Sequence, residues 1–131
     1  MIPCLVIGDS IAVGVGQQLP ECRTEAKVGI NSYRLLAEMG ADKRADRVVI
    51  SLGANDDALA RTLDNLTAVR KSVHPTVVYW LMPSGSQRAR AAVRAVASQY
   101  HDRVIDTAPY AGQDGLHPTG TGYRTLATMM R

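Results

Sequence analysis

Short apolar runs alternate with helical patterns along the chain. Four runs rich in β-branched residues end at turn residues, which is typical of buried parallel strands. They cover residues 4–7, 47–52, 76–82 and 103–106. A weaker strand is predicted at residues 23–28. The first two clear runs stop at Gly8 and Gly53, so each is followed at once by a residue suited to a tight turn.

Helical patterns fill the intervals between these runs. They cover residues 11–19, 32–39, 57–73, 87–100 and 118–130. In the third of them, Leu59, Leu63, Leu66 and Val73 recur at helical spacing. Pro118 suits a first helical position. Strand followed by helix, five times over, predicts an α/β fold with a parallel sheet and helices on both faces. The length of 131 residues fits one domain, residues 1–131.

Catalytic groups of such sheets gather at the carboxyl ends of the strands, so a candidate residue should follow a strand. Ser10 follows the first strand and opens the first helix, with Gly8 permitting the turn between them. At a helix start its N–H is available to an oxyanion. Ser10 is therefore a candidate nucleophile, and the alternative is that it only caps the helix.

The same rule, that a candidate residue follows a strand, distinguishes among the three histidines. His74 and His101 each precede a strand, which places them at the amino edge of the sheet. Only His117 follows the last strand, so it can reach the edge where Ser10 lies. Asp114 comes three residues earlier, and a turn through Gly115 can bring its carboxylate to the imidazole. The alternative is a surface turn with a histidine that caps the last helix.

Other polar residues also follow strands. The Asn55 amide can donate to an oxyanion, or Asn55 can cap a helix beginning near Asp57. Gly29 offers either a backbone N–H or an ordinary turn. Ser84 and Ser86 are rival nucleophiles that rank below Ser10, and we expect them near the substrate rim.

Composition narrows the choice of partners. Fifteen basic and twelve acidic residues give a net charge of +3. The densest basic group is Arg88, Arg90 and Arg94, which we interpret as a solvated helix face. There is no Phe, and the one Trp lies in an apolar run, so the aromatic stacking partners of a nucleic-acid-binding surface are lacking. Tyr110, in the loop before Asp114, is the better candidate for a substrate platform.

Two cysteines, Cys4 and Cys22, are too few for a disulfide scaffold, and Cys4 is interpreted as a buried small apolar residue. The apolar runs are too short to span a membrane. No charged and apolar leader precedes the first strand, so we expect a cytoplasmic protein. A non-catalytic flavodoxin-like binding module stays an alternative, although the Lys of a phosphate-binding loop and the third glycine of a dinucleotide fingerprint are missing. Nothing in the sequence indicates an oligomeric state.

Four segments, in order, resemble the signature blocks of the SGNH/GDSL hydrolases. They are Gly8-Asp9-Ser10, Gly29, Gly53-Ala54-Asn55-Asp56 and Asp114-Gly115-Leu116-His117-Pro118. Each block is weak alone, but together they span the chain and each follows its own strand. The resemblance implies a flavodoxin-like three-layer α/β/α sandwich with strand order 2-1-3-4-5, and no metal or other cofactor.

The same resemblance assigns roles to five residues. Ser10 is the nucleophile, His117 the general base and Asp114 the acid of the triad. The N–H groups of Ser10 and Gly29 and the amide of Asn55 form the oxyanion hole. The chain is short for this family, and a shallow cleft suits a short acyl group such as acetyl on a small or carbohydrate substrate. Residues 9–29 also resemble the esterase-like domain of bacterial wall O-acetyltransferases, so an O-acyltransferase is the alternative.

Overall fold

The computed structural model describes residues 2–40 and 42–131, and five strands of this part form a parallel sheet. The strands are β1 (Ile2–Gly8), β2 (Arg23–Ala26), β3 (Lys43–Ser51), β4 (Val73–Met82) and β5 (Arg103–Asp106). Their order across the sheet is β2-β1-β3-β4-β5. The predicted α/β class and strand order are confirmed.

Helices cover both faces of the sheet. They are α1 (Ser10–Gln18), α2 (Ser32–Glu38), α3 (Thr62–Lys71), α4 (Gln87–Tyr100) and α5 (Gly120–Met129), with a 3-10 turn at Ala108–Tyr110. Apolar residues of α1 and α5 pack on one face of the sheet, and those of α2, α3 and α4 pack on the other. The molecule therefore has the three layers that the sequence predicted.

The central strands are apolar on both sides because both of their faces are covered. Side chains alternate between the faces along a strand. In β1, Leu5 and Ile7 join the core under α2, α3 and α4, whereas Cys4 and Val6 join the core under α1 and α5. This strand is closed to solvent from residue 4 onward, so its carboxyl end is a firm base for the loop that carries Ser10.

Two helices begin later than predicted. Residues 57–61 form turns rather than the first turn of α3: Asp57 accepts from the N–H of Leu59 at 2.9 Å, and Leu59 is 91% exposed. Pro118 is not a helical residue but pairs with Ala111 in an antiparallel bridge. The N-cap of α5 is Thr119 instead. In both places a local side-chain or bridge contact competes with the helix.

Cys4 and Cys22 form a disulfide, which the sequence interpretation did not predict. Cys4 is fully buried, as expected, but it is bonded rather than a free apolar residue. The bond ties β1 to the turn between α1 and β2. The guanidinium of Arg47 lies beside it and donates to Cys4 Sγ at 3.4 Å and to Cys22 Sγ at 3.6 Å.

Of the three arginines predicted to form a solvated face of α4, Arg88 and Arg94 are exposed, whereas Arg90 is not. Arg90 pairs through two nitrogens with both carboxylate oxygens of Asp106, each at 2.8 Å, and its side chain is only 13% exposed. Arg88 is exposed, but it donates to the backbone carbonyls of Asp57 and Ala60. Both side chains thus fix loops at the carboxyl edge of the sheet.

Within the described residues, no helix is both long and apolar enough to cross a membrane.

Candidate active site

The chain turns sharply between β1 and α1, and this turn presents Ser10. Gly8 has φ +141°, and a Cβ placed on it would lie 1.9 Å from the carbonyl oxygen of Ser51, so only glycine fits. The N–H of Asp9 donates to that same carbonyl at 3.0 Å. Asp9, not Ser10, is the N-cap, because its carboxylate accepts from the N–H of Ile11. The Ser10 hydroxyl is therefore free of the capping role that was its alternative.

Three side chains meet at this turn. Ser10 Oγ lies 2.9 Å from His117 Nε2, and His117 Nδ1 lies 2.6 Å from Asp114 Oδ2. With the proton of the neutral imidazole on Nδ1, that nitrogen donates to Asp114 and Nε2 accepts from the Ser10 hydroxyl. Residues 107 positions apart in the chain are thus joined in one hydrogen-bonded line.

Asp114 is held by its own turn. Its Oδ1 accepts from the N–H groups of Leu116 and His117, both at 2.9 Å, across the turn at Gly115. These bonds, and above all the one from the His117 side chain, lower the pKa of Asp114 to about 2. Asp114 is therefore ionised at neutral pH and can stabilise an imidazolium. His117 does not cap α5, because Thr119 has that role.

The other two histidines lie at the opposite edge of the sheet, as predicted. His74 is the second residue of β4, and its Nε2 lies 3.1 Å from Asp42 Oδ1. His101 ends α4 in a left-handed conformation, two residues before β5. Neither belongs to the group around Ser10.

Asn55 and Gly29 lie in neighbouring loops that follow β3 and β2. Asn55 Nδ2 donates to the carbonyl of Ile30 at 3.1 Å, which uses one of its two amide hydrogens and leaves the second for another acceptor. Because α3 begins at Thr62, Asn55 is not its N-cap. Gly29 has φ +79°, a conformation that favours glycine, and nothing lies within 4 Å of the place where a Cβ would be.

A cavity of about 300 Å³ opens beside Ser10. Its lining combines residues of the loops after β1, β3, β4 and β5: Asp9, Ser10, Ile11, Ala54, Asn55, Pro83, Ser84, Gly85, Ser86, Leu116 and His117. The volume is at the small end of ligand-binding pockets. A larger hollow of about 550 Å³ lies between α3 and α4, but none of the candidate groups lines it.

Ser84 and Ser86 are both on this lining, but each hydroxyl has another role. Ser84 Oγ donates to the carbonyl of Gly115 at 2.6 Å. Ser86 is the N-cap of α4, and its Oγ accepts from the N–H of Ala89. The bond from Ser84 holds the Asp114 turn in place, so Ser84 supports that turn while lining the cavity.

Tyr110 is not brought to the cavity. Its side chain packs beside α5 with the apolar cluster of that face, and its hydroxyl lies 3.9 Å from Met129 Sδ. The 3-10 turn directs the ring away from the Asp114 turn. Leu116 takes the place on the lining instead, next to Gly85. Sequence reasoning missed Leu116 because an apolar residue inside a catalytic motif carries no chemical signal.

Asp9 is the second residue that sequence reasoning missed. It is 2% exposed, and Ser51 Oγ donates to its Oδ1 at 2.9 Å. Burial raises the pKa of Asp9 to about 6, against the opposing effect of these hydrogen bonds.

No group of three or more His, Cys, Asp or Glu in residues 2–40 and 42–131 is arranged to hold a metal ion.

The chain has sequence relatives over about half of its length. No family model matches the chain. Several Staphylococcus aureus proteins that carry the provisional name O-acetyltransferase are 37% identical over 71 aligned positions. The match covers 47% of this chain but only 12% of the length of those relatives.

Solved structures match nearly the whole chain. A GDSL-like lipase from Bacteroides thetaiotaomicron superposes with a TM-score of 0.69 at 17% identity, covering 97% of this chain and 84% of that one. The C-terminal catalytic domain of peptidoglycan O-acetyltransferase A from Streptococcus pneumoniae superposes with a TM-score of 0.63 at 18% identity, covering 96% and 88%. The chain therefore has the SGNH/GDSL hydrolase fold.

Proposed function

We propose that this chain is a serine esterase that hydrolyses carboxylic esters through Ser10, His117 and Asp114. The observation that carries the proposal is the hydrogen-bonded line from Ser10 Oγ through His117 to Asp114, at 2.9 Å and 2.6 Å. A nucleophile within reach of a base, which is itself oriented by a carboxylate, is the arrangement that activates a serine. The solved structures of the same fold include a lipase and an aryl esterase, which supports this chemistry.

In the first half of the reaction Ser10 Oγ attacks the ester carbonyl carbon. His117 Nε2 takes the hydroxyl proton, and ionised Asp114 stabilises the imidazolium that results. The carbonyl electron pair moves onto oxygen. When the tetrahedral intermediate collapses, the bond to the alcohol oxygen breaks and His117 returns its proton to the leaving alkoxide. The acyl group is then bonded to Ser10.

In the second half water attacks the acyl-Ser10 carbonyl. His117 takes a proton from that water and returns it to Ser10 Oγ as the acyl–oxygen bond breaks, which releases the carboxylic acid. The oxyanion of both steps is stabilised by the N–H groups of Ser10 and Gly29 and by the free amide hydrogen of Asn55. Loss of one such donor costs about a hundredfold to a thousandfold in rate.

The cavity supports a short acyl group. Its volume of about 300 Å³ is bounded by Leu116 and Pro83 as well as by the polar groups of Ser84 and Ser86. Acetyl fits such a space, and the polar rim suits the hydroxyl-rich alcohol of a carbohydrate ester. We therefore infer that the substrate is an acetylated small molecule or carbohydrate.

The test is hydrolysis of p-nitrophenyl acetate by the wild type and by Ser10→Ala. We expect Ser10→Ala to lower kcat by about a thousandfold or more while it keeps the fold, because only the nucleophile is removed. His74→Ala and His101→Ala are the matched controls, and they should leave turnover nearly unchanged. Wild-type turnover in Ser10→Ala would end the proposal.

O-acyl transfer is the second candidate, favoured by the names of the Staphylococcus aureus relatives and by the superposed O-acetyltransferase domain. The same acyl-Ser10 intermediate would then pass its acyl group to an alcohol instead of water. Incubation of the wild type with p-nitrophenyl acetate and an amino-sugar oligosaccharide decides between the two. An acetylated sugar at the expense of free acetate supports transfer, whereas acetate alone supports hydrolysis.

If the chain were instead a non-catalytic binding module of the same fold, its serine would not react with an active-site probe. A fluorophosphonate probe bonds covalently to an activated serine, so the esterase should be labelled at Ser10 and Ser10→Ala should not. A wild type that is neither labelled nor active would support the binding module.

A further inference from the structure

Asp56 is the meeting point of a hydrogen-bond network behind the candidate active site. Its Oδ1 accepts from the backbone N–H of Ser32 at 2.8 Å. Its Oδ2 accepts from Ser32 Oγ at 2.5 Å and from Thr62 Oγ1 at 2.7 Å. Asn65 Nδ2 adds a fourth contact by donating to Ser32 Oγ at 3.0 Å. Ser32 is fully buried and Thr62 nearly so, whereas Asp56 itself is partly exposed.

This network joins two loops that lie 24 residues apart in the chain. Ser32 begins α2 directly after the loop that contains Gly29, and Asp56 is the neighbour of Asn55 in the loop after β3. The bond from Asn55 Nδ2 to the carbonyl of Ile30 is a second link between the same two loops. Two of the three oxyanion donors of the proposed function are therefore carried by segments that Asp56 ties together.

The Gly29 loop is held on either side of Gly29 by Ile30, which is buried in the core, and by the bond from the Lys27 N–H to the Gly8 carbonyl at 2.9 Å. Nothing lies within 4 Å of the place where a Gly29 Cβ would be, and Val28 is 71% exposed. Gly29 and Val28 themselves are therefore sparsely packed, and Ile30 supplies the packing of this loop. Hydrogen bonds to a carboxylate are roughly twice as strong as bonds between neutral groups, so the bonds from Ser32 to Asp56 are well suited to fix the loop where packing is sparse.

We propose that Asp56 is a positioning residue for the oxyanion hole: by binding Ser32 it fixes the Gly29 N–H and the Asn55 amide in one geometry. This inference rests on the proposed esterase function. A donor displaced by about 1 Å can lower the rate about a hundredfold, so the network can influence catalysis although Asp56 does not line the cavity beside Ser10.

A carboxylate at the other edge of the sheet provides the matched control. Asp102 accepts from Arg70 Nε at 2.7 Å, from Arg70 Nη2 at 3.1 Å and from Trp80 Nε1 at 3.0 Å. It too joins separate elements through several bonds, but at the amino edge, away from Ser10. Asp102→Asn should therefore lower stability without altering the chemistry of the site.

The experiment compares Asp56→Asn and Asp102→Asn with the wild type on p-nitrophenyl acetate, at a temperature where thermal melts show all three folded. We expect Asp56→Asn to lower kcat by about tenfold to a hundredfold, with little change in KM. The pH profile of kcat/KM should keep its shape, because Ser10, His117 and Asp114 are untouched. Asp102→Asn should keep kcat within about twofold, since the oxyanion loops remain joined.

Two further substitutions keep the inference testable if Asp56→Asn does not fold. Ser32→Ala removes a bond between the two oxyanion loops together with the bond from Asn65 to Ser32 Oγ, whereas Thr62→Val removes only the bond from Asp56 to α3. We expect the larger loss of kcat from Ser32→Ala. Equal losses from the two variants, or losses that merely follow their melting temperatures, would overturn the positioning role.

Fluorophosphonate labelling separates the inference from the function on which it rests. Asp56→Asn should be labelled more slowly than the wild type but to the same final extent, which shows an intact nucleophile. Wild-type kcat in Asp56→Asn contradicts the inference alone. A wild type without esterase activity or labelling contradicts the proposed function and, with it, this role of Asp56.

Discussion

Asp9 and Ser10 are neighbours in the chain but have opposite surroundings. The Asp9 carboxyl points into the protein, where it is almost completely buried, accepts from Ser51 Oγ and caps α1. The Ser10 hydroxyl faces the cavity and His117. The sharp turn at Gly8 separates the two side chains, so one residue anchors the loop while the next is free to react.

Burial of Asp9 has a consequence for stability that depends on pH. The pKa of Asp9 is raised from 3.8 to about 6, so the folded state binds the proton more tightly than the unfolded chain does. Its contribution to stability is complete below about pH 4 and is lost as the pH rises through 6. Above that pH the ionised carboxyl disfavours folding by on the order of 3 kcal/mol.

Asp9→Asn tests this directly, since asparagine keeps the cap and cannot ionise. We expect the variant to be more stable than the wild type at pH 8 and the difference to shrink towards pH 4. Urea unfolding at several pH values between 4 and 8 measures it. If the wild type is the more stable protein at pH 8, the burial of a charged Asp9 is fully compensated and the interpretation fails.

Single residues differ in how much the sequence reveals about them. Ser10, His117 and Asp114 could be singled out because Ser10 directly follows β1, whereas Asp114 and His117 lie in the segment after β5, and parallel topology brings those ends together. The burial of Asp9 and the bonds of Asp56 could not be predicted. They depend on Ser51 and Ser32, which are 42 and 24 positions away in the chain, and on the nearer Thr62, all chemically ordinary residues.

At the scale of elements, the sequence predicted which strands and helices form better than where each begins: β3 and β4 begin four and three residues before the predicted runs. The strand order followed from the family resemblance. β5 has the predicted bounds, residues 103–106, but it was predicted as a buried strand and is instead a partly exposed strand at the edge of the sheet. A helix start depends on which side chain satisfies the first N–H groups. The turns at residues 57–61 and the bridge at Pro118 offered other partners, which moved the starts of α3 and α5.

The disulfide makes β1 dependent on redox conditions. Cys4 and Cys22 are 18 positions apart, and a bond that closes a loop of this size stabilises a protein by about 3 kcal/mol, chiefly by restricting the unfolded chain. We expect dithiothreitol to lower the midpoint of urea unfolding for the wild type. The double variant Cys4→Ala/Cys22→Ala should have a lower unfolding midpoint than the wild type, and dithiothreitol should not change that midpoint.

An unfolding midpoint that dithiothreitol leaves unchanged would show that the bond contributes no stability. The state of these cysteines in the cell also bears on the expected cytoplasmic location, because disulfides persist in oxidising compartments and are rare in the cytosol. Alkylation of free thiols before lysis would show whether Cys4 and Cys22 are reduced or disulfide-bonded in the cell.

At the scale of the whole molecule, the site is an edge built from loops that follow separate strands. Each loop is anchored beneath the surface by a different contact: Asp9 with Ser51, Asp56 with Ser32, and Arg90 with Asp106. The Arg90 pair also lowers the pKa of Asp106, so this anchor stays ionised at neutral pH. A small fold can therefore hold Ser10 and His117, which lie near opposite ends of the chain, together at one edge of the sheet.

The size of the cavity between these loops predicts a preference for short acyl chains. Leu116 lines it and packs against Gly85, so we expect its side chain to limit the room for a long acyl chain. We expect kcat/KM for p-nitrophenyl esters to fall about tenfold or more between butanoate and octanoate. Leu116→Ala should reduce that fall, because the space it opens can take the longer chain.

The matched control is Leu63→Ala, which shortens a leucine of α3 outside the cavity and should leave the order of preference unchanged. Each variant is compared with the wild type on the same series of esters, so a general loss of activity cancels in the ratio of octanoate to acetate. A wild type that hydrolyses octanoate as fast as acetate would show that the acyl chain extends into solvent. The Leu116 side chain would then have no part in substrate choice.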